Sequence, residues 1–170
     1  KAREFVYLGG NSKMIIRPIE KADNPVMHQI IQHVLKSYGL DIPGTAYFDP
    51  QLGALYEFYE QEEKGQYWVV EEDGHVVGGV GVAPFVGNPS VGELQKLYIM
   101  PEAQGKGYSH ALMKVAIAFA RRHFPALYLE TTDILDRANQ LYSKYGFTLL
   151  ESPIEGSEHG AMNRWFLLKF

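Results

Sequence analysis

The apolar positions of this chain change period several times, and each change marks an element boundary. Met14 opens an alternating stretch, MIIRPIE, that predicts a first strand. Val26, Ile30, Ile31 and Val34 then recur at helical spacing. With Pro25 near the start and Gly39 suited to the end, they predict an amphipathic helix over residues 25–38. The stretch GLDIPGTAYFDP is rich in turn formers and aromatic residues, and after it Leu52, Leu55, Tyr56 and Tyr59 resume the helical period for a short second helix. Beyond Gly65, QYWVVEE and HVVGGVGVAPF flank Asp73-Gly74, which predicts an antiparallel pair joined by a tight turn. The stretch VGELQKLYIM follows the turn residues Gly87-Asn88-Pro89-Ser90 as the next strand. A long helix over about 107–123, stopped at Pro125, leads to the strand ALYLETT. A helix over about 135–145, ended by Gly146, then precedes the strands FTLLE and NRWFLLKF.

Hairpins dominate the first half and strands alternate with helices in the second. The economical assignment is one α/β domain, with a central mixed, mostly antiparallel sheet flanked by about four helices. Residues 1–13 match no periodic template, so Met14 is taken as a candidate native start. The domain is expected to span 14–170, after a non-native or flexible N-terminal extension over 1–13.

Composition narrows the chemistry. At 170 residues and 46% hydrophobic, the chain can bury one sizeable core, and no linker suggests two. The absence of cysteine excludes disulfide scaffolding, thiolate zinc sites and cysteine nucleophiles. No apolar run approaches the roughly 20 residues needed to cross a bilayer, so no membrane partner and a cytoplasmic location are expected. The six histidines lack ligand spacing supported by carboxylates, so no metal is expected. A net charge of −4 argues against a general nucleic-acid binder, which needs a concentrated basic face. The distribution of charge says more. Between Glu102 and Glu130 there is no acidic residue, while Lys106, Lys114, Arg121 and Arg122 all fall there, which suits an anionic ligand.

In the same window, ELQKLYIMPEAQGKGYSHALM runs from an apolar strand through a turn with two glycines straight into a long helix. Glycine lets backbone approach a ligand, and the free N–H groups and positive dipole end of the helix then face an anion. Lys106 adds a charge in the same turn. The dinucleotide fingerprint does not fit, because His110 stands where its third glycine belongs, and the P-loop pattern is absent too.

Gln104, Gly105, Lys106, Gly107, Tyr108 and Ser109 instead resemble the [QR]-x-x-G-x-[GA] loop of the GNAT superfamily of acetyl-CoA-dependent N-acetyltransferases, with serine at the last position. Ala138, Leu141, Tyr142, Lys144, Gly146 and Phe147 resemble that family's closing A-x-x-L-Y-x-K-x-G-F. The resemblance runs from about residue 14 to the C-terminus. It implies an acyltransferase that moves an acetyl group from acetyl-CoA directly to a primary amine on a small molecule or peptide. Backbone groups of Leu97, Tyr98 and Ile99 are expected at the pantetheine, and Gln104 to Ser109 around the pyrophosphate. Leu135 stands where the family often has asparagine, and Asn139, one turn later, is expected to supply an amide to the cofactor. Tyr142 is the expected general acid and Glu93 the expected general base.

Candidates for the acceptor pocket are Tyr47, Phe48, Tyr56 and His159. The acidic run Glu57, Glu60, Glu62 and Glu63 is a candidate for steering a cationic amine. Exposed aromatic surface at Trp165 or Tyr59 would support a homodimer. A non-catalytic CoA-binding sensor or regulatory module, and an acyltransferase for a longer acyl-CoA, stand as alternatives.

Overall fold

The computed structural model describes residues 5–9 and 12–170, with side chains described from Lys13 onward. Eight strands among these residues form one sheet in the order β1-β2-β3-β4-β5-β6-β8-β7. The strands are β1 (Phe5–Gly9), β2 (Ser12–Pro18), β3 (Gln66–Glu72), β4 (His75–Phe85), β5 (Asn88–Ile99), β6 (Ala126–Thr131), β7 (Thr148–Leu150) and β8 (Arg164–Lys169). Four α-helices accompany them: α1 (Asn24–Ser37), α2 (Leu55–Glu60), α3 (Tyr108–His123) and α4 (Asp136–Lys144). Every neighbouring pair of strands is antiparallel except β5 with β6.

The continuous run in β3 is apolar because both of its faces are covered. Trp68 and Val70 join α3's Leu112, Met113 and Ala116 in one core. Tyr67 and Val69 join α1's Met27, Ile30 and Ile31 and α2's Leu55 in the other. The sheet is therefore the middle layer, with α1 and α2 on one face and α3 on the other.

Two boundaries differ from expectation. Residues 5–9 pair antiparallel with 12–16, so part of the expected extension adds an edge strand; residues 1–4, 10 and 11 lie outside the described residues. The turn before β5 is Val86-Gly87, with Phe85 opposite Asn88, rather than the run from Gly87 to Ser90. Packing decides this second case. A Cβ on Gly87 would sit 2.0 Å from the Glu155 carbonyl oxygen, so only glycine lets this turn close against the segment that joins β7 to β8.

The feature that positions the site is the parallel pair. β5 and β6 are in register only at Gly92 with Leu127 and Glu93 with Tyr128. Beyond Glu93 they part: β5 stays on β4 as far as Ile99 opposite Gly78, and β6 stays on β8 as far as Thr131 opposite Arg164. From Leu94 onward, the edge of β5 that faced β6 has no strand partner among the described residues.

Candidate active site

The opening between β5 and β6 holds two adjoining cavities that share Leu97, Tyr98, Leu135 and Ala138 in their walls. The deeper one is lined by Glu93, Gln95, Lys96, Glu130, Tyr142 and His159. The outer cleft runs past Leu97, Tyr98 and Ile99 to the start of α3, with α4 forming its other wall.

At the outer cleft the chain makes two left-handed turns in quick succession, Gly105 at φ 78° and Gly107 at φ 82°. A Cβ at either position would meet nothing within 4 Å, so backbone conformation and not space requires glycine there. Gln104 donates from Nε2 to the Ile99 carbonyl at 3.0 Å and ties the loop to the end of β5. Gly107 is the N-cap of α3, and the first residues of that helix, whose N–H groups have no intrahelical acceptors, line the cleft.

In the deeper cavity, Glu93 sits where the strands separate. Tyr59 Oη donates to Gln95 Oε1 at 2.6 Å, which fixes the amide so that Gln95 Nε2 donates to Glu93 Oε1, also at 2.6 Å. Burial pushes the Glu93 carboxyl up to about 7 and the charge of Glu130 adds to the effect, against the lowering influence of Gln95, His159 and Lys96. Glu130 accepts from Tyr128 Oη at 2.9 Å and from Ser157 Oγ at 2.8 Å. Tyr142 projects from α4 with its ring against Phe147 and Phe166, at centroid distances of 6.0 and 5.5 Å. Its hydroxyl has no hydrogen-bond partner among the described residues, and burial raises its pKa above the ordinary phenol value. Asp49, between α1 and α2, lies 2.9 Å from both Lys96 Nζ and His159 Nε2. Burial raises the Asp49 carboxyl, but these two partners outweigh it and leave the group lowered, while Asp49 raises His159.

The family model described as Acetyltransferase (GNAT) family matches residues 28–147, most of the chain that builds both cavities. The chain belongs to the GNAT family. This acyltransferase is similar to Uncharacterized N-acetyltransferase YjgM of Escherichia coli K12, 39% identical over 148 residues that make up 85% of this chain and 88% of that protein. It is also similar to Spermidine N(1)-acetyltransferase of the same organism, 28% identical over 79% of this chain and 72% of that protein. Its fold follows an acetyltransferase of the GNAT family from Staphylococcus aureus Mu50 with a TM-score of 0.80, at 18% identity over 92% of this chain and 98% of the other. A Salmonella typhimurium structure determined with its cofactor acetyl-CoA follows it with a TM-score of 0.71, at 23% identity over 92% and 93% of the two chains.

Set on this GNAT domain, the expected site residues divide. Leu97, Tyr98, Ile99, Gln104, Gly105, Gly107, Tyr108 and Ser109 line the outer cleft, and Glu93 and Tyr142 share the deeper cavity. Lys106 does not line the cleft: its Nζ pairs with Glu72 of β3 at 2.8 Å, and the Tyr108 hydroxyl bonds the same carboxylate. Asn139 is also turned away, donating Nδ2 to the carbonyls of Thr132 at 3.0 Å and Leu135 at 2.8 Å, where it braces the turn into α4. The arginine and lysine that do line the cleft are Arg137 and Lys144 of α4, with His110 at the start of α3 also in its wall. Of the acceptor-pocket candidates, His159 lines the deeper cavity and Tyr47, Phe48 and Tyr56 do not.

Glu57 bonds Asn24 Nδ2 at 2.7 Å on the outside of α2, and none of the four acidic residues there lines either cavity. Tyr59 is 3% exposed and orients Gln95, so it offers no surface to a second subunit. Sequence reasoning missed Gln95, Lys96, Glu130 and Asp49. Gln95 had a signal, since strand alternation puts it on the same face as Glu93. Asp49 had none, because 110 residues separate it from His159.

Proposed function

We propose that this GNAT enzyme acetylates a primary amine, with the outer cleft receiving acetyl-CoA and the deeper cavity the acceptor. The observation that carries the reading is the joint position of Glu93 and Tyr142: both line one cavity, which opens beside an unpartnered strand edge and a helix N-terminus. The cleft suits an elongated anionic thioester. Its apolar floor and free β5 edge match an amide-containing arm, and the two left-handed glycines, the start of α3, Arg137 and Lys144 match phosphates. The Salmonella typhimurium neighbour was determined with acetyl-CoA, which favours the same co-substrate here. When bound, acetyl-CoA supplies an acetyl group activated as a thioester.

The residues of the chain then have separate tasks. An alkylammonium of pKa about 10.4 must lose its proton to attack, at about 4–5 kcal/mol near pH 7. The Glu93 carboxylate, held by Gln95, accepts that proton, and its pKa near 7 keeps it available as a base at neutral pH. Backbone N–H groups on the free edge of β5 stabilise negative charge on the carbonyl oxygen. Burial disfavours a Tyr142 phenolate, so Tyr142 holds its proton at Oη until the sulfur departs; it then donates that proton to the sulfur and is restored by the second proton that the attacking nitrogen loses on forming the amide. No covalent intermediate on the enzyme is required, in keeping with a chain that has no cysteine.

Calorimetric titration with acetyl-CoA tests the assignment of the cleft. One-to-one binding is expected. The double variant Arg137→Ala with Lys144→Ala should weaken it about tenfold or more, whereas Lys106→Ala should change it less than about threefold, because Lys106 is paired with Glu72. A loss at Lys106 equal to that of the double variant would refute this placement of the phosphates.

A further inference from the structure

Lys96 is delivered to the deeper cavity by an irregular backbone. Between Gly79 and Gly81 the register of β4 passes from Tyr98 to Gln95, so β5 carries one extra residue there. Lys96 takes that step at φ 51°. The other non-glycine residue with positive φ among those described is Asp73, in a hairpin turn. A left-handed conformation is unfavourable for a lysine, and here Tyr67 Oη donates to the Lys96 carbonyl at 2.8 Å and helps to hold it.

The consequence is directional. In a regular strand Gln95 and Lys96 would point to opposite faces. Here Gln95 reaches Tyr59 of α2, and Lys96 reaches Asp49 on the same side of the sheet.

The donors so delivered exceed what Asp49 uses. The Lys96 side chain is 5% exposed, and its ammonium has three donors, of which Asp49 takes one at 2.9 Å. Asp49 also holds His159 at 2.9 Å, so one carboxylate serves two basic groups, and the trio carries a net positive charge whenever His159 is protonated. In the same cavity, Glu130 is bonded by two neutral hydroxyls, from Tyr128 and Ser157, which leave its negative charge uncancelled, and Glu93 lies beside Gln95. The cavity therefore offers Lys96 and His159 to an anion and Glu93 and Glu130 to a cation.

We propose that the acceptor is an amino-acid-like compound, its amine directed at Glu93 and its carboxylate bound by Lys96 and His159. This assignment rests on the acetyltransferase reading above and adds the class of acceptor. A simple polyamine would meet the Lys96 ammonium with like charge, so the same arrangement discriminates against it. A purely structural ion pair would not require a strained lysine, because a buried pair is weak evidence of stabilisation and an apolar residue in ordinary strand geometry would fill the site.

The test uses matched acceptors that differ only in the carboxylate: L-lysine against cadaverine, L-ornithine against putrescine, and L-phenylalanine against phenethylamine, each with acetyl-CoA. The carboxylated member of at least one pair should be favoured tenfold or more in kcat/KM. Lys96→Met and Lys96→Gly should bring that ratio towards one, mainly through KM of the carboxylated member. Lys96→Gly also suits the left-handed backbone, so it keeps the test valid if the methionine variant folds poorly. Equal or better use of the decarboxylated amines by the unaltered enzyme would overturn the acceptor class and leave acetyl transfer standing, as would variants that keep the preference. No turnover of any of these six amines, with CoA release on another amine that lacks a carboxylate, would likewise overturn the acceptor class alone.

Discussion

Glu93→Gln is expected to lower kcat by about 10²- to 10⁴-fold, the range typical of a lost general base, while leaving acetyl-CoA affinity within about twofold. The isostere keeps the shape of the side chain and its neighbours Gln95 and Lys96 but removes the acceptor for the amine proton. Two further readouts separate this from a structural effect. First, kcat/KM of the unaltered enzyme should rise with pH through about 7 and level above it, because Glu93 acts only when deprotonated and burial holds its carboxyl near that value. The limb at 7 should vanish in the variant. Second, the sign on stability is opposite to that on activity. A carboxyl whose folded pKa is raised binds its proton more tightly in the folded state, so its contribution to stability is favourable at low pH and is lost as pH rises from the unfolded value towards 7. Glu93→Gln should therefore raise the melting temperature above pH 7 while turnover collapses. A variant that loses stability and activity together, with the pH limb intact, would assign Glu93 to packing.

Tyr142→Phe should be the second largest loss, with kcat reduced about 10²-fold or more and KM for either substrate little changed. The ring packs against Phe147 and Phe166 and is retained in phenylalanine, while the hydroxyl has no partner among the described residues to be left unpaired. Stability should thus stay within about 0.5 kcal/mol, and the deficit should appear in chemistry. Thioesters with more acidic leaving thiols need less help from a proton donor and should narrow the gap between variant and parent. An equal deficit across leaving groups of graded acidity would remove Tyr142 from the proton transfer.

How much of this was legible in the sequence depended on whether the signal was local. The span 25–38 expected from Pro25 and Gly39 lies within a residue of each observed end of α1, because both residues act through their own backbone geometry. Asp73-Gly74 likewise marks the β3–β4 turn. The Val86-Gly87 turn was hidden behind the stronger local signal of Asn88-Pro89-Ser90, since what closes it is contact with Glu155, 68 positions away. Charge was legible and its direction was not. Lys106 stands in the phosphate loop by sequence yet turns to Glu72, while Arg137 and Lys144 reach the cleft from a helix that only the folded sheet brings opposite. Asn139 was expected at the cofactor by helical spacing, and the open carbonyls of its own preceding turn compete for its amide. The grouping of Lys96 with Asp49 and His159 at the deeper cavity depends on a bulge and on contacts between three distant segments, for which no spacing rule exists.

The most direct test is thiol release from acetyl-CoA in the presence of amines, with the acetylated product identified by mass and Glu93→Gln run in parallel. The account predicts amine-dependent release of CoA in equal amount to an N-acetylated product, and its near disappearance in the variant. Tight binding of acetyl-CoA with no amine-dependent release would contradict it.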